Sequence, residues 1–394
     1  MASTPTSVKN FSSTDPGAMV LSGTAGALSA LLKAYLVDGR GAGAVQGLTV
    51  ANGIATAVYA AGHPFSVGSV GLFAGATPAG LNGEKRILTT ATNSVTFAAP
   101  GIADGAATGS ITSKLAAAGW LQVAAGANIL ALKSASAEGT GCVLRIDDTG
   151  AAAARAIGYE SMSDINTGSG PFPSAAMNSG GQYWWKSDSA GVSPRAWRMF
   201  ADDRLFYLWV AAGGGVQGQG ILAVFGDINS AKSGDSWACV INGFSSGSNT
   251  SVAQAGCAGF GNAAVAATSE FVIARSHLGV GGAQLAKKLA AHNLGAGYSG
   301  TLPYNPNALN YPNGPDNSLR LAPVEVVSGA GIRGVLPGLY HCPQMLAGLF
   351  GTGDRVNGTG AFAGRTFCAL VVGPSVGSSL TPGVVFLDIT DSWR

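Results

Sequence analysis

Several groups of residues in this sequence have types and spacing that chemistry could use. Gly243-Phe244-Ser245-Ser246-Gly247 matches the G-x-S-x-G nucleophile elbow, follows a strand-like run at 237–241, and is followed in chain order by Asp316 and His341. In such a triad Ser245 is the nucleophile, His341 its base and Asp316 the carboxylate that orients the base. The stretch after Ser245 is Ser, Gly, Asn and Thr, a poor helix, and the chain lacks the alternating strands and helices of that fold. A Ser/Gly turn is the better reading. Gly213, Gly215 and Gly218 have G-x-G-x-x-G spacing after a strand, yet residues 221–225 read as another strand, so no helix N-terminus is there to hold a pyrophosphate.

The pairs Asp147-Asp148 and Asp202-Asp203 have the composition of catalytic carboxylates or calcium ligands. Each lies between two strand-like runs, where Asp is favoured because its side chain bonds the turn backbone. His341 beside Cys342 supplies two zinc ligands without a second pair. Tyr183, Trp184, Trp185 and Trp197 would suit a sugar-stacking platform, but large aromatics among Gly and Ser also build β-cores and subunit interfaces. The expectation is a chain with no catalytic, cofactor or metal residues.

The elements that position these residues are mostly short strands. From Thr24, a candidate N-cap, Leu28, Leu31, Leu32, Tyr35 and Leu36 recur at helical spacing and Gly39 follows as a stop, which predicts a helix over 24–37. Its single apolar stripe must be buried against this chain or another subunit, and these five residues are the candidate interface. Before it, the polar segment to Met19 reads as an extended arm that could tether a neighbour. Runs at 48–50, 54–59, 67–73, 86–90, 94–97 and 109–115, punctuated by turns such as Asn52-Gly53, predict a small β-barrel or sandwich over 45–115.

Residues 116–394 read as a larger antiparallel β-sandwich-like domain. Runs at 142–146 and 155–159 flank Asp147-Asp148-Thr149-Gly150, and runs at 197–200 and 205–210 flank Ala201-Asp202-Asp203, so both predict hairpins. Further strands are expected at 220–225, 237–241, 271–275, 320–327, 366–372 and 384–389, with a second helix at 284–292 and a Pro-rich contact loop at 295–315.

Composition bounds the function. Charged residues are 11% of the chain and net charge is +2, with no basic stripe for phosphates, which disfavours nucleic-acid binding. Apolar residues at 47% exclude a disordered chain, and only five of the 20 acidic residues are Glu, which argues against much helix. Charge-free stretches at 205–226 and 236–269 are broken by Gly, Gln, Ser and Asn into strand-length pieces, so no membrane span is expected. Cys142, Cys239, Cys257, Cys342 and Cys368 are odd in number and scattered, as buried free thiols would be. The opening residues lack a basic start and apolar run, so synthesis is expected in a cytoplasm.

Gly62-His63-Pro64-Phe65-Ser66-Val67-Gly68, residues 75–83 (GATPAGLNG) and residues 103–109 (ADGAATG) together resemble a small β-module of tailed-bacteriophage virion proteins, one often likened to the first catalytic cysteine half-domain of ubiquitin-activating enzymes. No cysteine lies in 45–115, so the resemblance carries no activity with it. Residues 20–26 (VLSGTAG), 158–162 (GYESM), 334–341 (GVLPGLYH) and 386–390 (FLDIT) resemble a family of phage structural proteins, extending the likeness over most of the chain. It implies a non-enzymatic virion component, tail-associated, whose partners are copies of itself and other virion proteins. Capsid-associated and receptor-binding roles, the latter with a host surface receptor, are its alternatives. A phage-borne serine hydrolase acting on host surface material is the reading from a different class.

Overall fold

The computed structural model describes residues 5–213, 216–244, 271–290, 309–329, 331–344, 346, 348–373, 383–390 and 392–394. The protein is mainly β, with 50% of residues in strands and 6% helical. Three sheets dominate: one in a small barrel, a front sheet over 120–185, and a long sheet built from the N-terminal arm and the chain beyond Trp197.

The barrel strands pair only with one another. Arg40–Ala44 pairs with Thr112–Leu115, and Gly47–Ala51, two residues further on, pairs with Ile54–Val58; between them the Val45 and Gln46 N–H groups bond the Ile111 and Val58 carbonyls at 2.9 and 2.8 Å. Pairing then runs through Ser94–Ala98, Gly83–Ala91 and Val70–Ala74 back to Thr112–Leu115, which closes the ring. Asn52 and Gly53, with φ of 53° and 74°, make the hairpin turn that the Asn-Gly pair prefers. Inside lies a separate core that includes Leu48, Phe65, Phe73, Ile87 and Phe97, with the Phe73 and Phe97 rings 4.6 Å apart. The expected start at residue 45 moves to Arg40, because the glycine-rich run before it supplies the strand that completes the ring.

The front sheet runs Trp120–Gly126, Ile129–Ser134, Val143–Asp147 and Ala153–Met162, whose two halves pair with Gly168–Phe172 and Gln182–Trp185. The long sheet begins with Lys9–Ser12, Trp197–Ala201, Leu205–Gly213 and Val216–Asp227. It continues to Gly383–Asp388 and Thr366–Val372, then curls back so that Gly220 meets Val372 in a parallel contact amid otherwise antiparallel pairing. Front and long sheets pack face to face through aromatic pairs, among them Trp120 with Phe206 at 5.3 Å and Trp184 with Phe206 at 5.9 Å. Both expected hairpins, about Asp147-Asp148 and Asp202-Asp203, are present.

Three expectations are corrected. The N-terminal segment is no tether. Lys9–Ser12 is the edge strand of the long sheet, and Phe11 on it and Val8 just before it are buried in the core. The expected helix is not found over 284–290. Gln284–Ala290 is a strand between Phe271–Ile273 and Ala322–Ser328, where two ladders outweigh the helical preference of Gln, Leu, Ala and Lys; Ala291 and His292 lie outside the described residues. Thr24 is not the N-cap. The helix Ala27–Leu32 is entered through Gly26 at φ 81°, where a Cβ would come within 2.4 Å of Asn128 Oδ1. It then widens into a π-helical turn over Lys33–Asp38 and ends at Gly39, φ 71°, as the sequence predicts.

Candidate functional site

Of the three residues of the disfavoured triad, two are described. Asp316 sits on an exposed turn, where Asn313, Ser318 and Arg320 bond its carboxylate and hold it down at about 2, while His341 is buried within the strand Gly331–His341. Ser245 lies outside the described residues. Gly213 and Gly218 flank a hairpin between two strands, with no helix following; Gly215 lies outside the described residues. No group of three or more His, Cys, Asp or Glu suited to a metal is present among the described residues. The expected contact loop falls largely outside them too.

The aromatic cluster packs mostly into the β-core and not as a sugar-stacking platform. Trp184, Trp185 and Trp197 are buried, and their indole N–H groups bond the carbonyls of Asn242, Ala211 and Met19. Tyr183 is half-buried with the Arg155 guanidinium 3.7 Å above its ring. These rings fill the space between sheets, because their size and one satisfied donor suit a β-core.

The candidate interface residues Leu28, Leu31, Leu32, Tyr35 and Leu36 are at most 1% exposed. Tyr35 packs between Phe11 and Trp197 in tilted contacts, at 4.8 and 5.0 Å, so the stripe is covered by this chain's own arm and long sheet and is not offered to a neighbour. The physical reason is that the arm folds back as a strand and buries the helix face from outside.

Part of the barrel's exposed surface is neutral. Residues 41–83 are forty-three positions without Asp, Glu, Lys or Arg, and Gly41, Ala42, Gly43 and Ala44 lie exposed along one strand. Val58 and Val67 are exposed as well. Some of the barrel's charged residues bond the rest of the chain, whereas Asp104 is exposed and Lys85 bonds the barrel's own Gly80 carbonyl. Arg86 is buried and donates to four carbonyls: Nε and Nη2 to Pro5 at 2.9 and 2.7 Å, Nη2 to Val8 at 3.1 Å, and Nη1 to Gly68 and Ile389 at 2.8 and 3.2 Å. It thereby ties barrel, N-terminal arm and C-terminal strand at one point. Lys9 pairs with Glu84 at 2.9 Å, and Ser66 donates to Asp15 at 2.8 Å. Burial pushes the Asp15 carboxyl up, and draws the Arg86 guanidinium down.

Elsewhere several charges are paired within the chain. Arg333 forms a two-point pair with Asp235, both buried, at 2.6 and 2.8 Å; Arg394 bonds Asp202 at 2.8 Å. Glu160 of the front sheet pairs with Arg275, which follows a long-sheet strand. Sequence reasoning missed Arg86, whose partners are backbone carbonyls on distant segments. Its strand, Gly83–Ala91, opens Gly-Glu-Lys-Arg, so nothing in the sequence set it apart from its charged neighbours. No helix among the described residues is long and apolar enough to cross a membrane. No protein-family model matches this sequence, and no curated protein does.

Proposed function

We propose that this chain is a structural, non-enzymatic subunit of a tailed-phage virion, carried on the tail and working through contacts with copies of itself and other virion proteins. The observation that supports the reading is the neutral outer surface of a separately cored barrel, residues 41–83, on a chain whose sparse charges are largely committed to internal pairs. Like charges that would repel a neighbour are scarce there, and small side chains let backbones approach closely. The barrel is then the docking unit and the two packed sheets its platform. The resemblance of residues 62–68, 75–83 and 103–109 to a virion β-module points to the same part of the molecule.

The experiment is mass spectrometry of purified virions with cross-linking, alongside light scattering of the isolated chain. The reading expects cross-links from the barrel to a second copy or another virion protein, burying on the order of 1,000 Å² or more per contact. Absence of the chain from purified particles overturns it.

A further inference from the structure

We propose that Lys186 and Asp148 condense, within the folded chain, into a side-chain amide that ties two strands of the front sheet together covalently and releases one water. The two side chains are in direct hydrogen-bond contact, Lys186 Nζ to Asp148 Oδ1, and neither has any exposure to solvent. Asp148 follows the strand Val143–Asp147, and Lys186 follows Gln182–Trp185. These strands flank Ala153–Met162 on opposite edges, with Asp147 facing Arg155 and Trp185 facing Ala153, so both residues leave the sheet at the same end. The carboxyl's Oδ2 accepts the Leu28 and Ser29 N–H groups at 2.7 and 3.0 Å, and Lys186 Nζ also donates to the Thr24 carbonyl at 2.7 Å. Apart from each other, the partners of the two side chains among the described residues are thus uncharged backbone groups.

The contact supplies each step of the condensation. A proton passes from Nζ to Oδ1 along the hydrogen bond that joins them, leaving an uncharged amine beside a carboxylic acid; burial already pushes the Asp148 carboxyl up, toward its protonated form. Nζ swings from Oδ1 to Cγ, the atom bonded to it, and its lone pair forms the new N–C bond. The carbonyl electron pair moves onto Oδ2, where the Leu28 and Ser29 N–H groups stand at hydrogen-bond distance to hold the oxyanion. As the carbonyl reforms, the Cγ–Oδ1 bond breaks, and Oδ1 takes a second proton from the nitrogen and leaves as water. One hydrogen stays on the amide nitrogen, nothing is oxidised or reduced, and no co-reactant is consumed. Held contact replaces a bimolecular encounter, and the product removes two charges from a core that tolerates neither alone. With no third carboxyl or imidazole among the pair's described partners to shuttle the protons, the step is slow. The freshly folded chain therefore holds the ion pair, and the amide accumulates from it with time. The inference does not depend on the virion reading.

The test keeps the native full-length chain folded at neutral pH for several weeks, beside a sample unfolded in guanidinium chloride, and follows both by intact mass spectrometry and tryptic mapping. Expected is a mass that falls by one water in the folded sample alone. Trypsin should then release a branched peptide, residues 146–155 joined to 156–195, because an acylated Lys186 is no longer cut. Its two amino termini, Ile146 and Ala156, separate it from the linear peptide left by a missed cleavage at Arg155. A succinimide at Asp148 also loses one water but leaves Lys186 cleavable. The cross-linked chain should melt at a higher temperature, since its unfolded state keeps the 148–186 loop closed. Full mass retained throughout, cleavage after Lys186 in the species that has lost water, a branch from Lys186 to any other carboxyl, or equal conversion of the unfolded sample overturns the proposal. The map needs no variant to fold, and virion membership has no bearing on it.

Discussion

Lys186 and Asp148 form an ion pair with both side chains fully buried, and the carboxylate's other oxygen accepts the N–H groups of Leu28 and Ser29 at 2.7 and 3.0 Å. The lysine also donates to the Thr24 carbonyl at 2.7 Å. A front-sheet turn thus supplies the cap of a helix 120 residues earlier in the chain. Each charge is tolerated in the core only because the other is present.

Removing one partner should therefore cost more than removing both. Asp148→Ala leaves an uncompensated buried ammonium and an uncapped helix, and is expected to destabilise the protein by about 3–5 kcal/mol. Asp148→Asn with Lys186→Met should recover a good part of that loss. Urea unfolding of the two variants and the parent checks the ordering.

Arg86→Met should loosen the barrel from its mount without unfolding it. Four carbonyls lose their donor while the core around Phe73 and Phe97 is untouched. At about 1–3 kcal/mol per buried group left unsatisfied, calorimetry is expected to split one transition into two, with proteolytic nicking appearing first near residues 5–8. A single cooperative transition at the parental temperature would count against this role.

Residues 38–118, expressed alone, should fold. The barrel closes its own hydrogen-bond ring and encloses its own core, so it has no unpaired inner strand to lose on excision. A cooperative thermal transition followed by circular dichroism is the expected result.

The acid limb of the stability curve should carry a mark of Asp15 and Asp227. Burial raises both carboxyls above their ordinary 3.8. Above that value the unfolded chain has released protons that the folded chain still holds. Their contribution is thus fully present below 3.8 and is lost as the pH rises through the raised folded values. Asp227→Asn, near in shape, should flatten that part of the profile. Urea midpoints of parent and variant between pH 3.5 and 6, an interval of about the width such shifts span, give the comparison.

Trp197→Ala should cost about 3–5 kcal/mol, as a large-to-small change in a packed core. Its ring touches Tyr35 and its N–H bonds Met19, so the arm and helix lose a shared anchor. Fluorescence-detected unfolding of this variant beside Trp197→Phe separates packing from the lost hydrogen bond.

Local signals in the sequence determined the fold class, the hairpins about Asp147-Asp148 and Asp202-Asp203, the Asn52-Gly53 turn, and a helix ending at Gly39. Each depends on residues within a few positions of one another, where turn geometry and side-chain period act directly. Tertiary structure alone decided what covers the stripe from Leu28 to Leu36, since an apolar face records that it must be buried and not by what. It decided equally that Gln284–Ala290 is a strand, that Asp148 caps a helix from another sheet, and that Arg86 joins three segments. In each case the partner is far away in sequence, and a short window of chain carries no trace of the ladder, carboxylate or carbonyl that long-range packing will bring to it.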